Sequence, residues 1–347
     1  MNVTDTSPLN TRTARPVMLT RMGFGGATLG NMYRRIEEPD AQAALDAAYG
    51  AGIRYFDTAP QYGLGRSETR FADGLERFGR SSVTLSTKVG RLLLDCAPDE
   101  VTPNGFVDVP QKRIVFDYSY DGVMRSYEAS RARLRVENAD ILLVHDVDAL
   151  SHGSQEVSDA KIRELFDQGG YRALDELRRN GDVAAIGAGV NTWQACQALL
   201  EEADFDGFLL AGRYTLLEQD ALDTFLPMCE ARDVGIILGG PYNSGILATG
   251  PVPGAKYNYA PAPEPILEKT GKIAEVCRSY NVPLAAAALQ FVLGHPAVKT
   301  VIPGAASAAE VQANVGLMAV PVPVGLWSDL RSAGLVREEA PLPEAAG

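Results

Sequence analysis

The chain has 347 residues, of which 46% are hydrophobic and 22% charged, a balance typical of a folded globular protein rather than a disordered one. The 44 acidic residues outnumber the 32 basic ones, and the net charge of −12 excludes the basic footprint of a nucleic-acid-binding or anionic-lipid-binding protein. The four cysteines are widely separated without metal-binding spacing, so we expect reduced thiols and a cytoplasmic protein.

The two ends of the chain differ in composition from its body. Residues 1–16 lack the apolar segment of a secretion signal, and residues 336–347 are rich in Glu, Ala and Pro. We therefore expect flexible tails at 1–16 and 336–347 around one folded domain at 17–335. Since no apolar run reaches the roughly 18 residues of a membrane-spanning helix, the sequence predicts no membrane contact.

Short strand-like runs alternate with amphipathic helical runs along the body of the chain. Because right-handed crossovers join parallel strands through helices, eight such units predict an α/β protein with a single (β/α)8 TIM barrel. An open, doubly wound sheet is the competing fold. The strands are predicted, in chain order, at 19–27, 53–59, 83–89, 140–146, 184–190, 207–213, 235–241 and 299–305.

Three long segments interrupt this alternation, at 91–118, 147–169 and 242–264. Each follows a predicted strand, so each should lie at the C-terminal mouth, where barrels of this kind hold their functional residues. Loops of this length usually form lids or walls of a substrate site. The sequence therefore predicts a mouth surrounded by three long loops.

The first predicted strand ends in the glycine-rich stretch GFGGATLG (23–30). A Rossmann fingerprint opens a helix directly and has an acidic residue about 20 positions later. Here a polar, turn-like stretch follows, and the helix begins only near Pro39. We interpret these glycines as a strand end that lets a ligand approach the backbone.

Polar side chains stand at the C-terminal ends of the next three strands. Asp57 closes the second strand, Tyr62 lies on the loop after it, Lys88 closes the third strand and His145 the fourth. Parallel strands of a barrel end at one mouth, so we expect these four groups to meet there. A buried Asp57–Lys88 ion pair with a purely structural role is the alternative.

Together these four groups can move a proton to or from a hydroxyl group. A nearby ammonium favours the phenolate of Tyr62 and should lower its pKa from the ordinary value of about 10. Asp57 would keep Lys88 in place and charged, and His145 would orient the reacting oxygen. Such a set suits a reaction in which a hydride moves at the same carbon.

The stretch HDVDALSH offers a competing interpretation, a metal site built from His145, Asp146, Asp148 and His152. These residues crowd on one strand end and its loop, and the chain has only three histidines. We therefore predict no metal.

The motifs FDTAPQY, STK, LLVHD, IGAGVN and VIPGA occur in an order and spacing that resemble the aldo-keto reductase superfamily, from about residue 17 to 320. The resemblance implies a (β/α)8 barrel that binds a nicotinamide dinucleotide without a Rossmann domain. It implies a catalytic tetrad of Asp57, Tyr62, Lys88 and His145. The residues expected to contact the cofactor are Gly26, Asn191, Gly240, Tyr242, Ser244, Gly245, Gly304, Ser307, Glu310 and Asn314.

The chain departs from the family pattern around the nicotinamide. The family often has a glutamine on strand six that holds the carboxamide, and the stretch LLAGRYTLL has none. Where the family often stacks a tyrosine on the ring, this chain has Gly239 or Gly240. Tyr242 or Arg213 would have to compensate.

A third departure concerns the choice of cofactor. Gly304 and Glu310 stand where members that prefer NADP commonly carry a lysine and an arginine that grip the 2′-phosphate. A carboxylate repels that phosphate and can accept hydrogen bonds from ribose hydroxyls. We therefore expect NAD rather than NADP, the alternative being that Glu310 is an ordinary solvated helix residue.

In finer detail, RYFDTAPQYGLGRSE, DILLVHDVD and GGPYNSGIL resemble a branch of aldose 1-dehydrogenases acting on L-fucose or D-threo-aldoses. This implies oxidation of a cyclic sugar at C1 to the lactone, with Tyr62 as general base. The same branch resembles a pyridoxal 4-dehydrogenase, so pyridoxal is the alternative hemiacetal substrate. A cofactor-binding regulatory module of the channel β-subunit type is the alternative outside enzymes.

Overall fold

The structure is a computed structural model that describes residues 1–13 and 15–343 of the chain. Its strands are β1 (Thr6–Leu9), β2 (Val17–Thr20), β3 (Phe24–Gly25), β4 (Tyr55–Asp57), β5 (Thr84–Val89), β6 (Arg91–Asp95), β7 (Lys112–Phe116), β8 (Ile141–His145), β9 (Ala185–Val190), β10 (Gly207–Ala211), β11 (Gly235–Gly239), β12 (Lys256–Tyr257), β13 (Ala260–Pro261) and β14 (Val298–Ile302).

Eight of these strands form one parallel sheet, in the spatial order β3, β4, β5, β8, β9, β10, β11, β14. Bridges between Met22 and Val301 and between Gly25 and Gly304 join the last strand to the first, so the sheet closes. Every residue of β8 and β9 is buried, as expected for parallel strands covered on both faces. The predicted (β/α)8 barrel is confirmed.

Helices surround this barrel, and α1 contacts both α2 and α12 to complete the outer ring. On α2, Phe71 and Leu75 lie one turn apart on the buried face, and the Phe71 ring meets Phe56 of β4 edge-on at 6.2 Å. The helices are α1 (Glu38–Gly50), α2 (Arg66–Phe78), α3 (Tyr120–Leu134), α4 (Ala149–His152), α5 (Gln155–Asp167), α6 (Gly170–Asn180), α7 (Trp193–Glu202), α8 (Phe225–Ala231), α9 (Ile246–Thr249), α10 (Glu264–Ser279), α11 (Leu284–Phe291), α12 (Ala308–Ala319) and α13 (Val324–Ser332).

The N-terminal segment differs from the flexible tail expected at 1–16. Residues 6–9 form β1, which pairs antiparallel with β2 as a hairpin at the N-terminal end of the barrel. Leu9 is 1% exposed and packs into a second apolar cluster inside the barrel. A short strand containing Pro8 gives little β signal in the sequence, and its burial depends on contacts with distant strands.

The C-terminal segment also packs on the domain. The folded domain therefore extends beyond residue 335, where we expected it to end. Val336 and Ala340 are buried, and the backbone N–H of Arg337 donates to Gln219 Oε1 at 2.8 Å. Of the tail expected at 336–347, residues 344–347 lie outside the described part of the chain.

The three predicted interruptions carry secondary structure of their own. The first contains the antiparallel hairpin β6–β7, the second contains α4 and α5, and the third contains α9 and the hairpin β12–β13. The helix α5 lies in a segment that we expected to be a loop, and Ser154 caps it by accepting from the backbone N–H of Val157. Among the described residues, none of the helices is both long and apolar enough to span a membrane.

Candidate active site

A cavity of about 610 Å³ opens at the C-terminal ends of the barrel strands. Tyr62, Lys88 and His145 line it, so three of the four predicted catalytic side chains share one space. Each long insertion contributes to its wall, the first through Phe106, the second through Leu150 and the third through Tyr259. The expected position of these insertions at the mouth is therefore confirmed.

Asp57, the fourth predicted residue, lies behind Lys88 on the neighbouring strand. Lys88 Nζ donates to both carboxylate oxygens of Asp57, at 2.9 and 2.7 Å, and to the carbonyl of Thr58 at 2.9 Å. Ser86 Oγ donates to Asp57 Oδ1 at 2.6 Å. Both charged side chains are almost fully buried, and all three ammonium N–H groups have partners.

The strand β9, which lies two strands away from β5 in the sheet, makes room for Lys88 with a glycine. A Cβ atom on Gly189 would lie 2.9 Å from Lys88 Cε, closer than van der Waals contact allows. The aliphatic part of the Lys88 side chain therefore packs directly against the backbone of Gly189. This role of Gly189 was not predicted, although the stretch IGAGV places the glycine in the middle of a barrel strand.

Tyr62 lies between Lys88 and His145. Its ring centroid is 4.8 Å from Lys88 Nζ, and its ring meets the His145 imidazole edge-on at 5.8 Å. Burial, followed by the charges of Asp57 and Asp146, raises the pKa of Tyr62 well above 10, while Arg91 opposes this effect.

The expectation that Lys88 lowers the pKa of Tyr62 is therefore wrong for the protein's own groups. The ammonium directs its three N–H groups to Asp57 and Thr58, and the adjacent carboxylate offsets its charge. We expect a positive charge added near the phenol, beyond those of Lys88 and Arg91, to favour the phenolate.

His145 is buried as a neutral imidazole. Burial, together with the charges of Arg91 and Lys88, lowers its pKa well below 6.5. Its Nε2 atom lies 3.3 Å from Asp146 Oδ2, and among the described residues its buried Nδ1 atom has no hydrogen-bond partner. A neutral imidazole can donate or accept one hydrogen bond at a substrate oxygen without adding charge.

A second polar cluster, which was not predicted from the sequence, lies beside this group. Arg91 at the start of β6 forms a buried ion pair with Asp146, and Asp146 Oδ1 accepts a 2.9 Å hydrogen bond from Asn191 Nδ2. Burial raises the pKa of Asp146 to about 6, against the opposing charge of Arg91. Arg91 follows Lys88 by three positions, which is the sequence signal that was available.

The residues of the alternative metal site have other partners. Asp148 caps α4 by accepting from the N–H of Ser151 at 3.0 Å, and His152 Nε2 lies 3.3 Å from the Tyr118 hydroxyl. In the described ranges, His, Cys, Asp and Glu side chains form no group of three or more arranged to hold a metal ion.

The predicted cofactor residues after β11 form a connected network. The Tyr242 hydroxyl donates to Asn314 Oδ1 at 2.8 Å, linking this loop to α12. Ser244 Oγ accepts from the backbone N–H of Tyr259 at 2.9 Å, and the Tyr259 hydroxyl reaches Asn191 Oδ1 at 3.4 Å. Tyr259 therefore connects this loop to the cavity wall, a role that the sequence did not reveal.

The remaining predicted residues lie around the start of α12. Ser307 caps the helix by accepting from the N–H of Glu310 at 3.2 Å. Glu310 Oε2 accepts from the N–H of Ala306 at 2.8 Å, and its Oε1 pairs with Arg34 at 3.0 Å. A Cβ atom on Gly304 would lie 3.1 Å from Thr28 Cγ2.

Packing gives a reason for the glycine at position 26, in addition to the ligand approach that we expected there. Its N–H donates to the carbonyl of Asp57 at 2.8 Å, and a Cβ atom there would lie 2.7 Å from that oxygen and from the Phe71 ring. The close approach at this position is thus made by the neighbouring strand and by α2.

The residues present fit a dinucleotide. Gly240 and Gly245 have left-handed backbones with φ of 59° and 104°, and a Cβ atom on Gly245 would meet nothing within 4 Å. Left-handed glycines present backbone N–H groups to anions, and the N-terminus of α12 offers further N–H groups. Asn191 in the cavity wall would offer its amide to the carboxamide group.

The barrel and the proton-transfer groups in its mouth define a class of protein, the (β/α)8 oxidoreductases. The chain belongs to the aldo/keto reductase family, whose sequence model matches residues 21–333. Enzymes of this family use nicotinamide cofactors.

Three relatives illustrate the similarity. The chain is 41% identical over 327 residues to a pyridoxal 4-dehydrogenase of Microbacterium luteolum, covering 92% of this chain and 95% of the relative. It is 36% identical over 328 residues to a D-threo-aldose 1-dehydrogenase of a Pseudomonas species, covering 93% and 96%. An aldo-keto reductase of Bacillus halodurans, solved in its holo form, shares the fold with a TM-score of 0.73 at 22% identity, covering 97% and 99%.

Proposed function

We propose that the protein oxidises a cyclic aldose of the L-fucose or D-threo type at C1 to the lactone, with NAD as the preferred cofactor. The observation that carries this proposal is the meeting of Tyr62, His145 and the Lys88–Asp57 pair in one cavity. The 36% identity to a D-threo-aldose 1-dehydrogenase supports the choice of substrate.

In this reaction the sugar loses a hydride from C1 and a proton from its C1 hydroxyl, and the C1–oxygen single bond becomes a carbonyl. Bound NAD⁺ supplies the hydride acceptor and one positive charge. Tyr62 as phenolate takes the proton, and His145 holds the same oxygen by a hydrogen bond. Lys88, fixed by Asp57, keeps a positive charge beside the Tyr62 ring.

The raised pKa of Tyr62 is compatible with this role because NAD⁺, when bound, would bring the positive charge of its nicotinamide ring into the pocket before the hydride moves. Burial makes any nearby charge count for more than it would in water. An added cation beside a buried phenol therefore lowers its pKa, and the phenolate forms when the complex is complete.

The cavity suits a small polyhydroxylated ring. Its volume of about 610 Å³ lies in the range of small-molecule sites. Gln61, Asn104 and Ser151 line it and offer hydrogen-bond donors and acceptors in addition to the charged groups. Aldoses need such partners for their ring hydroxyls.

Pyridoxal is the second candidate, since its hemiacetal form can be oxidised to a lactone by the same groups. Aromatic side chains make up much of the wall, namely Tyr33, Phe106, Phe116 and Tyr259. Flat aromatic walls favour a flat aromatic substrate. The 41% identity to a pyridoxal 4-dehydrogenase supports this alternative.

A panel of substrates run with both cofactors tests the proposal. Formation of NADH is followed by its absorbance after adding L-fucose, D-arabinose or pyridoxal with NAD⁺ or NADP⁺. We expect turnover with an aldose and NAD⁺. Turnover of pyridoxal alone selects the second candidate, and binding of NAD without turnover on a broad panel selects the cofactor-binding module.

Tyr62→Phe is the matched variant for the mechanism. It removes one oxygen atom and keeps the ring that packs between Lys88 and His145. We expect turnover to fall by about 1,000-fold or more while the affinity for NAD changes little. An active Tyr62→Phe protein would show that the proton acceptor is another group.

A further inference from the structure

The Arg91–Asp146 pair is a feature of the cavity that the proposed reaction does not use. Both residues line the cavity, and their side chains are 4% and 10% exposed. Asp146 has a φ of 49°, in the left-handed region that residues other than glycine seldom adopt. Its backbone N–H is held by the carbonyl of Gly189 at 2.9 Å.

One carboxylate connects the two sides of the site. Asp146 Oδ1 accepts from Asn191 Nδ2 at 2.9 Å, and Oδ2 pairs with Arg91 and lies 3.3 Å from His145 Nε2. In the proposed function His145 orients the substrate oxygen and Asn191 holds the carboxamide of the cofactor. Asp146 is therefore in contact with both orienting groups.

Stability alone gives a weak reason for such a pair. Burying two charges costs desolvation free energy that their attraction only partly offsets, and apolar residues of similar size are often as stable. The residue after His145 also has the unusual backbone conformation described above. Strained backbone and buried charge together at a cavity wall are typical of functional positions.

We propose that Asp146, held by Arg91, is a positioning residue that fixes the His145 imidazole and the Asn191 amide relative to each other. The carbon that loses the hydride and the ring that receives it must approach closely and in line, and a displacement of 1 Å can cost about 100-fold in rate. A single carboxylate between the two orienting groups sets this distance. The inference rests on the proposed function only in the roles of His145 and Asn191.

A double-mutant cycle on cofactor affinity tests the inference without any substrate. The variants are Asp146→Asn, Asn191→Ala and the double substitution, and calorimetry measures the dissociation constant of NAD⁺ for each. If Asp146 acts through Asn191, each single substitution weakens NAD⁺ binding by about fivefold, the effect of one hydrogen bond. The double variant is then no weaker than Asn191→Ala. Effects that multiply in the double variant would overturn the proposal.

Turnover gives the second measurement, on whichever substrate of the panel the wild-type protein accepts. We expect Asp146→Asn to lower kcat by about 100-fold and to raise the KM for NAD⁺, because the His145 and Asn191 side chains are then no longer held by the same carboxylate. A purely structural residue would instead reduce the amount of folded protein and leave the KM of the folded fraction unchanged. Unchanged KM and kcat per folded molecule would contradict the proposal.

Asp206→Asn is the matched control. Asp206 is likewise a buried carboxylate paired with an arginine, Arg178, at 2.9 Å, but it lies on the segment entering the N-terminal end of β10. We expect this control to lower the melting temperature without changing the NAD⁺ affinity of the folded protein. If Asp146→Asn does not fold, Arg91→Gln releases the same carboxylate and must weaken NAD⁺ binding in the same cycle with Asn191→Ala.

The two proposals fail in different ways. If the wild-type protein binds NAD⁺ but oxidises neither aldoses nor pyridoxal, the proposed function is wrong, and the binding cycle still reports the link between Asp146 and Asn191. If it oxidises one of them and the cycle is multiplicative, the positioning role alone is wrong.

Discussion

Asp146 illustrates how a single residue gives the site a dependence on pH. It faces the positive charges of Arg91 and Lys88, the carboxylate of Asp148 and the imidazole of His145. Burial is the largest effect and raises its pKa to about 6 from an ordinary value of 3.8. Burial, together with the charges of Arg91 and Lys88, favours the neutral form of His145, whose pKa lies well below 6.5.

We therefore expect turnover to fall as the pH drops through about 6, where Asp146 takes up a proton and releases Arg91. The effect on stability has the opposite sign. Ionising a carboxyl group whose pKa is raised in the folded state costs free energy. The contribution of Asp146 to the free energy of unfolding therefore increases as the pH falls through that value. Rate–pH profiles for the wild-type protein and Asp146→Asn check this, and the variant should lose the acidic limb. A limb that stays in the variant belongs to another group.

Glu310 is the residue on which the choice of cofactor depends. Its carboxylate lies at the N-terminus of α12, bonded to the N–H of Ala306 and paired with Arg34. A carboxylate there opposes a phosphate that would use the same N–H groups. The pairing with Arg34 was not predictable, because the two residues are 276 positions apart.

We expect Glu310→Gln to shift the ratio of kcat/KM for NAD⁺ to that for NADP⁺ toward NADP⁺ by about tenfold, equivalent to ~1.4 kcal/mol. The glutamine keeps an acceptor for the Ala306 N–H and loses only the charge. Glu264→Gln, a change in the first turn of α10, is the control and should leave the ratio unchanged. A wild-type protein that already prefers NADP⁺ would contradict the interpretation.

At the scale of elements, the sequence predicted the pieces with strong local signals and missed those that depend on distant contacts. The strand ends carrying Asp57, Lys88 and His145 were predicted because buried parallel strands are short apolar runs and polar residues mark where they stop. The hairpin β1–β2 was missed because the cluster that buries Leu9 includes barrel residues far away in the sequence, such as Ile141 and Leu209.

We expect this hairpin to contribute strongly to the free energy of unfolding and to have no role in catalysis. A Cβ atom on Gly207, the first residue of β10, would lie 2.9 Å from Leu9 Cδ1, so Leu9 packs against the end of the barrel opposite the cavity. We expect Leu9→Ala to lower the free energy of unfolding by about 2–5 kcal/mol, as for other buried leucines.

Urea denaturation measures this change, and Met18→Ala is the matched control. Met18 lies on the paired strand β2 but is 42% exposed, so its truncation should change the free energy of unfolding by less than about 0.5 kcal/mol. Neither substitution should alter kcat, since both positions are far from Tyr62. A small effect of Leu9→Ala would mean that residues 1–16 behave as a flexible tail.

At the scale of the whole molecule, the positions of the site residues could be predicted from the sequence, whereas the charges and contacts around them could not. The convergence of four strand ends follows from barrel geometry and needed only the strand assignment. The pKa of Tyr62, in contrast, depends on its burial and on the charges of Asp57, Asp146 and Arg91. Such details are set by three-dimensional neighbours that no spacing in the sequence records.

The third insertion, residues 242–264, connects the cavity wall with the loop that we expect to contact the cofactor. Tyr259 is part of the cavity wall, yet its backbone is held by Ser244 on the loop predicted to contact the cofactor. Under the proposed function, a dinucleotide bound against this loop would therefore also support the part of the wall against which the second ligand packs. We expect the dinucleotide to bind before the sugar or pyridoxal.

Packed side chains, including Leu9 of the hairpin β1–β2, fill the barrel interior on the side away from the cavity. Under the proposed function, the product would leave through the cavity mouth beside the bound dinucleotide, and we expect it to leave before NADH. Product-inhibition kinetics should show NADH competing with NAD⁺ while the lactone does not, the pattern of a compulsory sequence. Random order would imply that the two ligands do not obstruct one another.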